Sequence, residues 1–526
     1  MGVQVGLYGG SLLHLGSARH RPMVKDAFEV TTPGCFAMTE RDHGSNVKDI
    51  RTTATFDPAT DEFIIHTPDE GARKEWIGNA AKHGRMATVF AQLHIGSEQY
   101  GVHALIVPLR DEQHKVMPGI RVEDCGHKLG LNGVDNGKIW FNQVRVPRSN
   151  LLDRYAQVDR QGNYASTIPS ASKRFFTMIG TLVMGRVSLA VACVSGMKTG
   201  LALAIEYGDQ RRQFGPAGRP EMPILDYQAH QRRLMPALAT CFALDFATQH
   251  LVDRYVQIGS SATDDETREL EVLAAGLKAT ASWEAMRILQ MCRECCGGNG
   301  YLLANRFADF KADLDVFTTF EGDNTVLMQL VARGLLTSYR QQFSELKIAS
   351  VLKYVAHQAS RALVELNPIS GRLTSEEHLR DAATLKALFK SREDHLLVSV
   401  ARRLKSLIDS KMDSFLAFNE CQEHLISLAR ANAERTILEL FQARVESAPA
   451  ALQKPLRDLC DLYALSRLYE DRAWFLEHGH FEPVKSKAVR ALMLKLCGEV
   501  RKEAVPMVRA FGIPASLLNA PMLDGR

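Results

Sequence analysis

Two textures of apolar patterning divide the chain. From Thr31 to Asn150 the apolar residues come in short runs: Phe63-Ile64-Ile65-His66, Thr88-Val89-Phe90-Ala91, Ala104-Leu105-Ile106-Val107 and Lys138-Ile139-Trp140-Phe141. Breaks at Asp57-Pro58 and Pro118-Gly119 complete a spacing that predicts a compact antiparallel β domain. After Pro147 the period becomes helical. Phe175 to Tyr207 is apolar nearly all round, as the central helix of a bundle should be, while Leu225 to Tyr255 and Leu270 to Cys296 carry Ala-rich faces. Beyond Ser344, amphipathic stretches such as Leu379 to Ser410 and Glu423 to Ala448 predict a second helical bundle. A short helical fragment, Gly10 to Ala27, precedes the β region and is too small to bury its own apolar face. The chain therefore reads as α+β and mostly α: a helical fragment over 1–30, a central antiparallel β domain over 31–150, and two C-terminal helical bundles over 151–343 and 344–526.

The ends of the helices carry most of the local information. Leu182 to Ile205 is the longest apolar stretch, but Arg186 and Lys198 interrupt it, so it is expected as a buried helix and not a membrane span. Its Gly196-x-x-x-Gly200 predicts close helix packing. Cys296-Gly297-Gly298-Asn299-Gly300-Tyr301 stops a helix and lets backbone approach a partner or ligand. In Phe320-Glu321-Gly322-Asp323-Asn324-Thr325, three N-cap candidates (Asp323, Asn324, Thr325) precede Val326, Leu327, Leu330 and Val331 at helical spacing. Glu321 thus stands just before a helix start, either as an ordinary acidic residue of a first turn or as the carboxylate of a site.

Composition narrows the class without naming a chemistry. With 46% hydrophobic and 24% charged residues over 526 positions, the chain is a large globular one of about three or four domains. A net charge of +4 spread along it gives no support to nucleic-acid binding. Its ten cysteines follow no regular spacing and fall largely in apolar helical stretches, as thiols used for packing in a reducing compartment would. Cys292 and Cys295 form a Cys-x-x-Cys, but no second pair follows at finger spacing, so no metal site is expected. The N-terminus shows no signal-peptide pattern, and the C-terminal Met522-Leu523-Asp524-Gly525-Arg526 is not a Ser-Lys-Leu type peroxisomal address.

No phosphate-binding loop, dinucleotide fingerprint, zinc-protease helix or hydrolase elbow occurs. Three polar patches remain: Met38-Thr39-Glu40-Arg41-Asp42-His43-Gly44-Ser45-Asn46, Lys74-Glu75-Trp76-Ile77-Gly78-Asn79 and Arg211-Arg212-Gln213-Phe214-Gly215. Each alone also fits a polar turn, a core tryptophan or a solvated charge pair. In this order, with Glu321 and the Gly297-Gly298 turn, they resemble the acyl-CoA dehydrogenase and oxidase superfamily. The wording is closer to the acyl-CoA oxidases, through Pro33-Gly34-Cys35-Phe36-Ala37-Met38-Thr39-Glu40, Gly126-His127-Lys128-Leu129-Gly130, Val134-Asp135-Asn136-Gly137, Leu225-Asp226-Tyr227-Gln228 and Phe320-Glu321-Gly322-Asp323-Asn324-Thr325.

The resemblance implies a set of roles. Glu321 falls on the catalytic base that takes an α-proton from a fatty acyl-CoA thioester. Thr39 and Gly78 fall on contacts to the flavin of FAD, Trp76 against its ring, Arg211 on its pyrophosphate, and Gly297 and Gly298 on the contact to a neighbour's FAD. It further implies a homodimer, O2 as electron acceptor, a trans-2-enoyl-CoA product with H2O2, and a peroxisomal location. The family's N-terminal helical domain is represented here by little more than a helix around Ser11 to Lys25, and Arg41-Asp42 stands where the family has a small or neutral pair. An oxidase-like acyl-CoA binder without efficient turnover and an acyl-CoA dehydrogenase are the alternatives. Spacing does not separate oxidase from dehydrogenase.

Overall fold

The computed structural model describes residues 2–180, 182–258, 263–344 and 370–523. The chain separates into two compact units, Met1–Ser188 and Leu189–Arg526.

The first unit is built on a six-stranded sheet. Its axis is β5 (Met86–Ile95), which pairs along one edge with antiparallel β6 (Glu98–Pro108). On the other edge it takes two short strands in succession, β1 (Gly34–Ala37) opposite Met86 to Val89 and β2 (Thr53–Asp57) opposite Gln92 to Ile95. Both of these pairings are parallel, so the sheet is mixed where the alternating pattern predicted an antiparallel one. The reason is the length of β5: one edge holds two strands that run the same way, and residues 38–52 join them as a crossover. The sheet is completed by β3 (Glu62–His66) and β9 (Val144–Pro147), while β4 (Lys74–Gly78), β8 (Asn136–Phe141) and β7 (Ile120–Asp124) form a second, antiparallel sheet. The β region extends past Asn150, through a hairpin of β10 (Ala156–Val158) and β11 (Tyr164–Ser166).

The N-terminal fragment is two helices, not one. A π-helical turn (Gly2–Gly9) runs into α1 (Gly10–Leu15), and α2 (Arg21–Phe28) follows a break at Gly16. A Cβ on Gly16 would lie 2.4 Å from the Leu12 carbonyl oxygen, a contact no larger residue tolerates. Tyr8, Leu12, Leu15 and Ala27 bury themselves with Phe90, Val102, Ala104 and Ile106 of the sheet, which supplies the apolar partner the fragment lacks alone.

The second unit is helical. Among its elements are α4 (Leu182–Gln210), which follows α3 (Ala171–Ile179), then α5 (Gln228–Ile258), α6 (Asp264–Cys295), α7 (Phe307–Asp315) and α8 (Asn324–Ser344). By length and composition Ala171–Gln210 is apolar enough to cross a membrane. Within the helical unit, however, Lys198 pairs with Asp245 of α5 at 2.6 Å and Leu201 to Ile205 are buried, which are the features of a core helix. The glycine pair does what its spacing predicts: a Cβ on Gly196 would meet Leu314 at 2.2 Å, and one on Gly200 would meet Leu289 at 2.6 Å. Because the leucine ends can shift in part, Gly196→Ala is expected to destabilise this unit by about 1–3 kcal/mol, read from chemical denaturation.

Helices on both sides of residue 344 share one core. Ala275, Ala279, Leu327, Met328 and Val331 pack with Leu396, Val400, Leu425 and Leu428 of helices Ala382–Asp409 and Gln422–Glu446. Arg467 also reaches Glu284 of α6 at 2.8 Å. The segment just after the expected boundary, 345–369, lies outside the described residues. All ten cysteines are free thiols, nine of them buried, and Cys292 and Cys295 sit inside the last turns of α6.

Candidate active site

In the β unit the site residues are set by one irregularity and one buried ion pair. β4 and β8 slip register between Lys74 and Ile77, and Trp76 occupies this bulge with φ of 61°. A bulky aromatic residue in the left-handed region is a strained exception, at a cost of about 1–3 kcal/mol, and a bulge re-aims the side chain it carries. Trp76 is accordingly 55% exposed and is no core tryptophan.

Two residues earlier Lys74 points the other way and is fully buried. Its Nζ donates to the Met38 carbonyl (3.0 Å), to the Phe90 carbonyl (2.8 Å) and to Glu40 Oε1 (3.1 Å). Glu40 also accepts from Arg51 N, Thr52 N and Thr52 Oγ1. Thr39 lies between Met38 and Glu40, two of the three residues that Lys74 grips, and its own carbonyl accepts from Glu75 N at 3.1 Å. One ammonium thus fixes the Thr39 corner and the strand that carries Trp76 and Gly78. Burial pushes the Lys74 ammonium down and Glu40 pulls it partly back, to about 8, so it remains charged at neutral pH. Burial would raise the Glu40 carboxyl, but Lys74 and the hydrogen bonds from Thr52 and Arg51 hold it below the ordinary range. Gly78 is buried, and the space a Cβ would take there is filled by Val3, 2.6 Å away. Arg41 is exposed, and Asp42 pairs with Arg51 at 2.8 Å, so the charged pair that departs from the family pattern is accommodated at the surface.

In the helical unit, Arg211 and the Gly297-Gly298 turn line one cleft of about 550 Å³, with Tyr207, His230 and Arg233. Gly297 has φ of 54°, which ends α6 and turns its backbone outward, and the Cβ positions of Gly297 and Gly298 are open. Asn299 ties the turn to α4 by donating to the Tyr207 hydroxyl at 3.0 Å. Arg233 pairs with Glu294, whereas Arg211 is exposed and has no carboxylate partner among the described residues. Burial, then Arg233, push His230 down to about 4, so it is neutral at physiological pH. An open glycine backbone beside an uncompensated guanidinium suits an anionic, phosphate-bearing ligand.

Glu321 stands on a separate turn of the same unit and is not part of that cleft's lining. Its backbone is left-handed, with φ of 59°, and Gly322 follows at 108°. Of the three cap candidates, Asp323 is the one used: its Oδ1 accepts from Thr325 N (2.9 Å) and Val326 N (3.3 Å). Asn324 is turned inward to Ser282 and Lys278, and Val326, counted among the apolar positions, is 42% exposed while Leu327 and Val331 face the core. Glu321 is half-buried, with its Oε2 shielded from water.

Lys278 belongs to none of the motifs in the sequence, and nothing local in the sequence pairs Lys74 with Glu40. The signal for Lys278 was present: a lone lysine in the apolar stretch Leu273-Ala274-Ala275-Gly276-Leu277-Lys278-Ala279.

A β unit followed by helical domains is also the order in which known protein families match this chain. Residues 35–144 match the middle domain of acyl-CoA dehydrogenase, 179–336 the acyl-CoA oxidase C-alpha1 domain and 381–525 the acyl-CoA oxidase family. The chain is 44% identical to acyl-coenzyme A oxidase 2, peroxisomal, of Arabidopsis thaliana, over 99% of this chain and 77% of that protein. Its structure is similar to acyl-CoA oxidase 1 of Yarrowia lipolytica, with a TM-score of 0.90 and 32% identity over 99% of this chain and 77% of that one. It is similar as well to acyl-CoA oxidase-2 of Caenorhabditis elegans bound with FAD, ascaroside-CoA and ATP, with a TM-score of 0.87 and 27% identity over 99% and 77% of the two chains. The chain belongs to the acyl-CoA oxidase family.

Proposed function

We propose that this protein is an FAD-dependent acyl-CoA oxidase that converts a fatty acyl-CoA to its trans-2-enoyl-CoA, with O2 as acceptor, in peroxisomal fatty-acid β-oxidation. The observation that carries the reading is Glu321: a carboxylate on a strained left-handed turn at the head of α8, partly withdrawn from water. Strain of this kind concentrates at functional sites, and abstraction of a proton α to a thioester needs a carboxylate held in place and away from solvent. FAD, when bound, would supply the hydride acceptor for the substrate β-carbon and the route of the electrons to O2, with H2O2 as the second product. Thr39, Trp76 and Gly78 would hold the flavin at the corner of the β unit, Arg211 would pair with the pyrophosphate, and the Gly297-Gly298 turn would offer its backbone to the FAD of a second subunit in a homodimer.

Arg211→Ala removes the charge-assisted contact and is expected to weaken FAD binding about 10- to 100-fold, measured by flavin fluorescence titration. The function is tested by incubating the FAD-loaded protein with a long-chain acyl-CoA in air and quantifying both products. Equimolar trans-2-enoyl-CoA and H2O2 are expected. Enoyl-CoA that accumulates only with an added electron acceptor would make the protein a dehydrogenase, and no enoyl-CoA under any condition would overturn the proposal.

A further inference from the structure

We propose that Lys278 is a positioning residue for Glu321, an inference that rests on the reading of Glu321 as the base. Lys278 lies on α6 and is fully buried, between Leu277 and Ala279, which are buried as well. Its Nζ donates to the Gly322 carbonyl at 2.8 Å and to Asn324 Oδ1 at 3.0 Å. Asn324, itself buried, donates through Nδ2 to Ser282 Oγ (2.9 Å) and to the Ala279 carbonyl (3.3 Å), so its amide is locked against the same helix.

The chemistry of this cluster is unusual for a helix contact. A buried ammonium is costly to desolvate, and an apolar side chain would fill the same face of α6 without that cost. What the ammonium grips is the carbonyl of the residue directly after Glu321 and the first residue of α8. A left-handed non-glycine residue persists only where its surroundings over-determine it. Local contacts hold the turn from within, through the bond from Phe320 N to the Val316 carbonyl and the Asp323 cap. Lys278 anchors it from a different helix. It thereby sets where the Glu321 carboxylate stands relative to the rest of the helical unit, and a displacement of about 1 Å at a reacting group costs on the order of 100-fold in rate.

The test compares FAD-loaded wild type, Lys278→Met, Glu321→Gln and the double variant, using a long-chain acyl-CoA and its α-deuterated form. For Lys278→Met the expected result is a fall of about 100-fold in kcat per bound flavin, with KM and the calorimetric Kd for acyl-CoA unchanged and a larger deuterium isotope effect. The double variant should be no slower than Glu321→Gln alone. Should Lys278→Met fail to fold, Asn324→Ala strips one acceptor from the ammonium and is expected to lower kcat about tenfold at unchanged KM. Wild-type kcat per flavin in the variant that folds, with Glu321→Gln inactive, would overturn the role of Lys278 alone. An active Glu321→Gln would overturn the reading of the base, and this inference with it.

Discussion

Glu321→Gln is expected to keep its FAD and its fold while losing turnover by about 10²- to 10⁴-fold, the usual contribution of a positioned general base. The amide is nearly isosteric with the carboxylate, so packing is preserved. It cannot accept the α-proton, so the bond to be broken loses its acceptor. The left-handed backbone at Glu321 belongs to the turn and to the Asp323 cap, and neither depends on the charge of the side chain. The comparison to make is kcat per bound flavin, with the visible spectrum recorded on the same sample. A yellow variant that turns over at the wild-type rate would remove Glu321 from the mechanism.

The second large effect belongs to the buried pair in the β unit. Lys74→Met leaves Glu40 ionised and without its cation in a fully buried position, and is expected to destabilise the β unit by about 3–5 kcal/mol. Adding Glu40→Gln removes the stranded charge yet keeps an acceptor for Thr52, so the double variant should recover a substantial part of that loss. Denaturant midpoints of the three proteins measure both steps. The double variant still lacks the grip on the Met38 carbonyl and on residue 40, so it should bind FAD more weakly than wild type even where its stability returns. A Lys74→Met protein as stable as wild type would show that the pair does not hold this corner. The pH dependence has a definite sign. Glu40 has its folded pKa below the unfolded one, so its stabilising contribution is complete above the ordinary carboxylate value of 4.5 and is lost as pH falls through the lower folded value.

Much of the architecture was legible because it rests on long periodic segments. The helices over 228–258 and 264–295 stand where the apolar period places them, and the Gly196-x-x-x-Gly200 spacing announces a contact the structure contains. What was not legible depends on partners far away in the chain. Nothing local in β1 or β2 says that both will share one edge of β5, and that is what makes the sheet mixed. The hairpin at Ala156–Ser166 is too short and too polar to stand out against the helical pattern that follows it.

The site divides in the same way. Glu321, Arg211 and the glycine turn could be picked out because their order resembles a family, yet the features that make them plausible chemically are tertiary. The exposure of Trp76 follows from a bulge, the inward turn of Asn324 from Ser282 and Lys278 on another helix, and the importance of Lys74 from a carboxylate 34 positions away. A buried lysine looks in the sequence like any other lysine. Its neighbours in Leu277-Lys278-Ala279 hint at burial, and only the fold shows what it grips.

If the proposed function holds, this chain binds FAD and acyl-CoA reduces it. The most direct measurement is the visible spectrum of the purified protein, made anaerobic, mixed with a long-chain acyl-CoA and then opened to air. The expected result is a flavin band that bleaches on substrate addition and returns in air with formation of H2O2. A protein that stays colourless after incubation with FAD, or a flavin band that acyl-CoA leaves unchanged, would contradict it.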